Sequence, residues 1–231
     1  ENPLHPYESL RPDVVLDAMA SVGLHGDGRL TALSSYENRV YQAGLEEPAE
    51  GGAAAVVLKF YRPGRWSDAQ ILEEHGFAAE LLEAEVPMVA PWRLPEGLGS
   101  LHHHGGFAFS VSPRRGGRRP ELESLEVLEW IGRFLARIHA VGARRPFAHR
   151  PALDLQTFGH DSQRLLLEGK HLPLDVATRW QQACTEALQV AGGLWQEAGD
   201  VQSLRLHGDC QGQVDLLIEQ TEAMQAPALI A

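Results

Sequence analysis

Val56-Val57-Leu58-Lys59-Phe60 is an apolar run with a single charged residue inside it. Its branched aliphatic and aromatic side chains read as a β-strand, in which a lysine has no packing reason to stand. Working outward, Pro63 and Gly64 end the strand, and Ser67 with Gln70 three residues later forms a capping box. The helix that it opens is expected to bury Ile71, Ala78 and Leu82. On the other side, Leu30 to Gln42 is a second strand-like run, separated from Ala53 to Tyr61 by the Gly-, Pro- and Glu-rich stretch Gly44 to Gly52. The two runs read as an antiparallel hairpin. Before them, Val15, Ala18, Met19 and Val22 fall at helical spacing between Pro12 and Gly23, a short opening helix.

Further along, Val86 to Ala90 and Phe107 to Val111 read as two strands flanking the loop Leu94 to Gly106. Ser112 to Pro120 is rich in Gly and Arg and marks the clearest boundary in the chain. Beyond it Leu128, Ile131, Leu135 and Ile138 make an amphipathic helix ending at Gly142, and Leu174 to Ala191 makes another. Leu204 to Leu206 reads as a short strand leading into His207-Gly208-Asp209. The expected fold class is α+β: a small antiparallel β lobe with one helix at 1–112, a linker at 113–120 and a partial, mainly helical lobe at 121–231. That order of elements is the organisation of the two-lobed protein-kinase-like fold.

Composition narrows the partners. The 231 residues are 44% hydrophobic and 22% charged, which suits a water-soluble globular chain with a real core. No apolar run approaches the roughly 18 residues of a membrane span. With 31 acidic against 20 basic side chains the formal charge is -11, which disfavours general nucleic-acid binding. Cys184 and Cys210 form no CxxC pair and read as reduced thiols of a cytoplasmic protein, expected as a monomer. The N-terminal residues lack the pattern of a secretory signal, and the start at Glu1 reads as a trimmed end. No repeat or low-complexity segment is visible.

Several residues are candidates for chemistry. A cation held on a strand and paired with a carboxylate of the next helix is what neutralises nucleotide phosphates in phosphoryl transfer. Lys59 is that cation, and Glu73 and Glu74 both lie on the next helix. The bland alternative is an edge-strand lysine reaching into water. The hairpin Ser34 to Tyr41 stands where a phosphate-covering loop would, without glycines but with hydroxyl and amide donors. Asp209 follows a strand on a tight loop, a place from which a carboxylate accepts the proton of an attacking hydroxyl. His102, His103 and His104 read as a solvated turn, since adjacent histidines diverge and no further ligand stands at metal spacing. The Arg114, Arg115, Arg118 and Arg119 cluster reads as solvated linker, with anion docking as the alternative.

With those residues in hand, the chain resembles the bacterial stress-response Ser/Thr protein kinases of the aminoglycoside-phosphotransferase-like superfamily. The resemblance is carried by Ser34 to Tyr41, Val57 to Pro63, Gln70 to His75, Glu85 to Pro87, Ile131 to His139 and Leu204 to Cys210. It implies ATP and Mg2+ as cofactors, with Ser35 beside the ATP phosphates, Lys59 on them, Glu74 as its helix partner and Asp209 as the proton acceptor. It also implies transfer of the γ-phosphate to Ser or Thr of a protein substrate in a stress-protective role in the cytoplasm.

The family pattern continues after Asp209 with His, a metal-binding Asn, a hairpin and a metal-binding Asp. Here the chain reads Cys210-Gln211-Gly212-Gln213-Val214-Asp215 and stops at Ala231. Gln213 stands near the place of the Asn, and Asp215 is too close to Asp209 for the intervening hairpin. The expectation is a chain truncated, altered or incomplete after Cys210, and inactive in this form for lack of magnesium ligands. The competing functions are a small-molecule kinase acting on an aminoglycoside, choline or sugar, and a non-catalytic pseudokinase.

Overall fold

In the computed structural model, residues 6–94, 99–116, 123–199 and 201–206 are described, residue 50 by its backbone alone, together with the backbone of 216–218 and 227–230. The chain groups into two compact units, one made of Glu1–Pro146 with Arg205–Ala231 and the other of Phe147–Leu204.

The first unit is built on five strands: β1 (Gly26–Leu33), β2 (Arg39–Ala49), β3 (Ala53–Phe60), β5 (His102–His104) and β6 (Phe107–Pro113). They pair antiparallel in the order β1-β2-β3-β6-β5. The run carrying Lys59 is therefore the central strand. Val56, Leu58 and Phe60 alternate onto one face and are fully buried, beside Ala43 and Leu45 of β2 and Phe107, Phe109 and Val111 of β6. Helix α1 (Pro12–Ser21) closes this face with Val15, Ala18 and Met19. Phe60 meets Phe109 stacked at 5.3 Å and Phe107 edge-on at 6.4 Å, offset and T-shaped arrangements that suit ring quadrupoles.

Three expectations about this lobe need correction. Leu30 to Gln42 is not one strand: residues 34–38 turn the chain between β1 and β2. Strand β2 then runs on through the stretch expected as a turn, with a register irregularity between Gly44 and Ala49. The reversal sits at Gly51 and Gly52, whose φ of 77° and 78° favour residues without a Cβ. Secondly, the histidine run is strand β5, because its backbone pairs with Phe107–Phe109. His102 is buried against Phe109, and His103 meets Asp68 at 3.2 Å. Thirdly, helix α2 (Asp68–Glu83) buries Ile71, Phe77, Ala78 and Leu81, while Leu82 is 45% exposed. Its capping box is formed, with the Ser67 hydroxyl accepting from the Gln70 amide and the Gln70 side chain accepting from the Ser67 amide.

Helix α2 packs against β4 (Met88–Val89) and against α3 (Leu125–Gly142), whose Phe134, Ile138 and Val141 are buried. Of the expected α3 stripe Ile138 is buried, Ile131 and Leu135 are half-buried and Leu128 is 44% exposed, so the buried face is turned towards Phe134 and Val141, while the end at Gly142 is as expected. A second sheet pairs β4 in parallel with β8 (Pro227–Ile230), and β8 antiparallel with β7 (Leu216–Ile218). Leu204 to Leu206, expected as a strand, joins no sheet; its Arg205 amide donates instead to the Gly142 carbonyl at 3.3 Å.

The second unit holds a π-helical turn (Gln156–His160), α4 (Asp161–Glu168) and α5 (Leu174–Ala198). Gln163 Nε2 ties α4 to α5 through Thr185 Oγ1 at 3.0 Å. No residue of α4 or α5 is buried.

A buried polar chain fixes α2 to the sheet. The Tyr61 hydroxyl lies 2.7 Å from His75 Nε2 and 3.2 Å from Ser110 Oγ, and His75 Nδ1 lies 2.9 Å from Ser100 Oγ. His75 is 5% exposed, and burial, then the Lys59 charge, then His102 push its pKa from 6.5 down to about 4. As pH falls through that window the unfolded chain takes up the proton first. Folding stability should then drop between about pH 6.5 and pH 4 by up to about 3 kcal/mol. Urea unfolding at pH 7 and pH 5 measures the loss, and His75→Gln, which does not titrate, should show a shallower pH dependence than the parent.

Candidate active site

Lys59 belongs to the face of β3 opposite the aromatic core. In register it stands across from Val40 of β2 and Ser110 of β6. Val40 and Val57 share this face and are half-buried, whereas Ser110 is buried. A neighbour strand on each side of β3 removes the edge-strand reading of the lysine. Its ammonium meets Glu74 Oε1 at 3.0 Å and lies 5.2 Å from the centre of the Tyr61 ring. Side-chain exposures of 23% and 28% leave both charges partly open to solvent. Glu74 rather than Glu73 makes this ion pair, because the cap at Ser67 fixes the helical phase that turns position 74 to β3.

The hairpin between β1 and β2 is tied down at several points. The Glu37 carboxylate accepts from Trp66 Nε1 at 3.0 Å and from Arg65 Nε at 3.3 Å, and the Tyr7 hydroxyl donates to the Glu37 carbonyl at 2.8 Å. Asn38 Oδ1 accepts from the Arg62 amide at 3.4 Å. The two stretches Ser34 to Tyr41 and Val57 to Pro63, extended to Trp66, thus form one connected patch. The Ser35 hydroxyl donates within the hairpin to the Asn38 carbonyl at 3.0 Å, so it must rotate before it can donate to a phosphate oxygen. Tyr36, beside it, is fully exposed.

Asp209, Gln213 and Asp215 lie outside the described residues, as do His207 and Gly208. Among the described residues no group of three or more His, Cys, Asp or Glu is placed to hold a metal ion. The described part of the site accordingly offers an ion-paired lysine and no cluster of carboxylates or histidines for a metal.

Sequence reasoning missed Tyr61, His75, Glu80 and Arg205. His75 stands in the same Gln70 to His75 stretch as Glu74, and a histidine on an apolar helix face is the signal that marks it. Arg205 repeats the anomaly of Lys59, a cation flanked by Leu204 and Leu206.

A model of the phosphotransferase enzyme family matches residues 29–213. The chain is 36% identical over 234 residues to stress response kinase A of Shigella flexneri, covering 99% of this chain and 69% of that protein. It is 35% identical over 229 residues to the serine/threonine protein kinase RdoA of Salmonella typhimurium strain LT2, covering 96% of this chain and 67% of that one. Among solved structures, an amicoumacin kinase in complex with AMP-PNP, Ca2+ and Ami superposes with a TM-score of 0.66 at 18% identity, over 99% of this chain and 66% of that chain. The chain thus spans about two thirds of the length of these relatives. Its α+β, protein-kinase-like fold and its sequence agree, and the chain belongs to the phosphotransferase enzyme family.

Proposed function

We propose that this chain is an ATP-dependent Ser/Thr protein kinase that transfers the γ-phosphate of ATP to hydroxyls of a protein substrate. The observation that carries the reading is the Lys59–Glu74 ion pair on the central strand, a cation held where phosphates need one. The name of the Salmonella relative, a serine/threonine protein kinase, supports a protein as the acceptor; a small-molecule acceptor, which the name of the amicoumacin kinase gives for that protein, is the alternative that the assay distinguishes.

In this reading ATP lies along the face of β3, its base against the half-buried Val40 and Val57 and its phosphates against Lys59. Ser35, rotated from Asn38, donates to a phosphate oxygen from the hairpin. Glu74 keeps the ammonium aimed. The hydroxyl oxygen of the acceptor attacks the γ-phosphorus, the bond to the β,γ-bridging oxygen breaks, and ADP leaves. The hydroxyl proton passes to the Asp209 carboxylate. Magnesium, when bound, would neutralise charge on the phosphates; Gln213, one methylene longer than the Asn expected there, stands near the place of one ligand, and Asp215 is too close to Asp209 to take the place of the other. With Gln213 in the place of the Asn, transfer should demand magnesium well in excess of ATP, which a titration of turnover measures. The division into a nucleotide lobe at 1–112, a linker at 113–120 and a partial catalytic lobe at 121–231 belongs to the same proposal. So do a cytoplasmic stress-response setting and a monomeric state; no helix among the described residues is long and apolar enough to cross a membrane.

Lys59→Met should weaken ATP binding by about 10- to 100-fold, the worth of a hydrogen bond to a charged group. Glu74→Gln should weaken it less, because the cation survives without its guide; isothermal titration with ATP ranks the two. Asp209→Asn should cut phosphate incorporation from γ-labelled ATP into casein by roughly 100-fold or more while leaving ATP affinity within a few-fold. Substantial residual turnover would remove Asp209 from the role of proton acceptor, and transfer to small hydroxylated compounds in preference to casein would favour the alternative acceptor.

A further inference from the structure

Arg205 is the most deeply buried cation among the described residues, with 2% of its side chain exposed. Its guanidinium grips the Glu80 carboxylate with both prongs, Nη1 to Oε1 at 3.1 Å and Nη2 to Oε2 at 2.7 Å. Nη2 also donates to the Val141 carbonyl at 3.1 Å, and the guanidinium carbon lies 4.4 Å from the centre of the Phe77 ring. The backbone is caught as well, with the Arg205 amide donating to Gly142 at 3.3 Å. A Cβ at Gly142 would collide with the Arg205 carbonyl, so the end of α3 leaves room for this one approach. Arg145 reaches the same Glu80 carboxylate from the solvent side. These contacts, Arg205 first, hold the Glu80 carboxyl below the usual carboxylate range and thus ionised at neutral pH.

Two features of position give this cluster a meaning beyond packing. Arg205 stands four residues before Asp209. Glu80 stands six residues after Glu74 on one unbroken helix, which sets the two carboxylates about 9 Å apart along the axis and about 120° apart around it. One rigid helix therefore presents one carboxylate to Lys59 and the other to the segment that leads to Asp209. We infer that Glu80 and Arg205 are a positioning pair, which makes α2 a strut that sets the segment leading to Asp209 in register with the Lys59–Glu74 pair. The inference rests on the proposed roles of Lys59 and Asp209 and adds the residues that align them.

The test uses the full chain at saturating magnesium, with casein and the chain's own hydroxyls as acceptors of γ-labelled phosphate. Glu80→Gln, and Arg205→Lys, whose ammonium cannot fork onto a carboxylate, should each lower kcat by about 10- to 100-fold, the scale of a small misplacement of reacting groups. KM for ATP and direct ATP affinity should stay within about threefold, since Lys59 is untouched. Removing one partner strands a buried charge and can unfold the chain, so Glu80→Gln combined with Arg205→Met removes both. That double variant should fold with a cooperative melt and stay slow. Independently of turnover, ATP should slow amide hydrogen exchange across 201–206 in the parent and not in the double variant. A folded double variant with parental kcat, or with the same ATP-dependent protection, overturns the inference. If Asp209→Asn keeps its turnover, the proton-acceptor assignment fails instead; if Asp209→Asn is dead while the Glu80 variants run at the parental rate, only the positioning pair fails.

Discussion

One constraint organises the first unit: the central strand of its sheet carries a cation on the face opposite the aromatic core. Lys59 has a neighbour strand on each side and cannot snorkel past a sheet edge, so something must meet it where it stands. Helix α2 does so with Glu74. A partly solvated pair of this kind contributes on the order of 1 kcal/mol or less to stability, too little to explain why a sheet should tolerate it. Its value lies in direction, since it holds an ammonium at one point of an otherwise apolar strand. The neighbouring position obeys the opposite rule. His75 is kept neutral by burial and by the same Lys59 charge, and it therefore ties to Tyr61 and Ser100 through uncharged hydrogen bonds. Adjacent residues on α2 thus divide the work, one ionised towards the site and one neutral towards the interior.

The rest of the unit follows from seating α2. Ser67 and Gln70 fix where the helix starts and so which residues face the sheet. Ile71, Ala78 and Leu81 then fall inward, while α1 closes the other face with Val15, Ala18 and Met19. The hairpin between β1 and β2 is drawn into the same arrangement, because Glu37 is held by Arg65 and Trp66 in the turn that leads to the cap. A chain that fixes the turn Pro63 to Ser67 fixes hairpin and helix together.

Much of this was legible where the physics is local. A run of branched apolar and aromatic residues marked β3, helical spacing marked α1 and α3, and the capping box placed α2 within a residue. The Lys59–Glu74 meeting was legible as a choice between Glu73 and Glu74, and only the helical phase settles which. What failed is long-range. The split of Leu30 to Gln42 depends on how far β2 extends along β3, and a run of histidines becomes a strand only because Phe107 to Phe109 pair with it. Leu204 to Leu206 has strand-like composition but finds no sheet partner, since its central residue is spent on Glu80 and α3. Residues 207–215, where the proton acceptor and the metal ligands of the family pattern would fall, lie outside the described residues, so that half of the site is known by its sequence alone.

The choice of cation opposite Glu74, in the middle of α2, and opposite Glu80, near its C-terminal end, is itself informative. Lys59 and Lys170 are the chain's lysines, and every other permanently charged cation is arginine. A chain that otherwise uses arginine places lysine on the strand that faces the proposed phosphates. An ammonium is a compact point charge with three donors on a flexible stem, so it can keep Glu74 while it turns another hydrogen towards a phosphate oxygen. A guanidinium in that place would commit its planar fork to a single carboxylate. Opposite Glu80 that commitment is the useful property: Arg205 holds both oxygens of the carboxylate in a fixed plane and spends a further hydrogen on the Val141 carbonyl. In the proposed roles Glu74 meets an ammonium that can turn a hydrogen towards a phosphate, and Glu80 meets a guanidinium held in one plane on the segment that leads to Asp209.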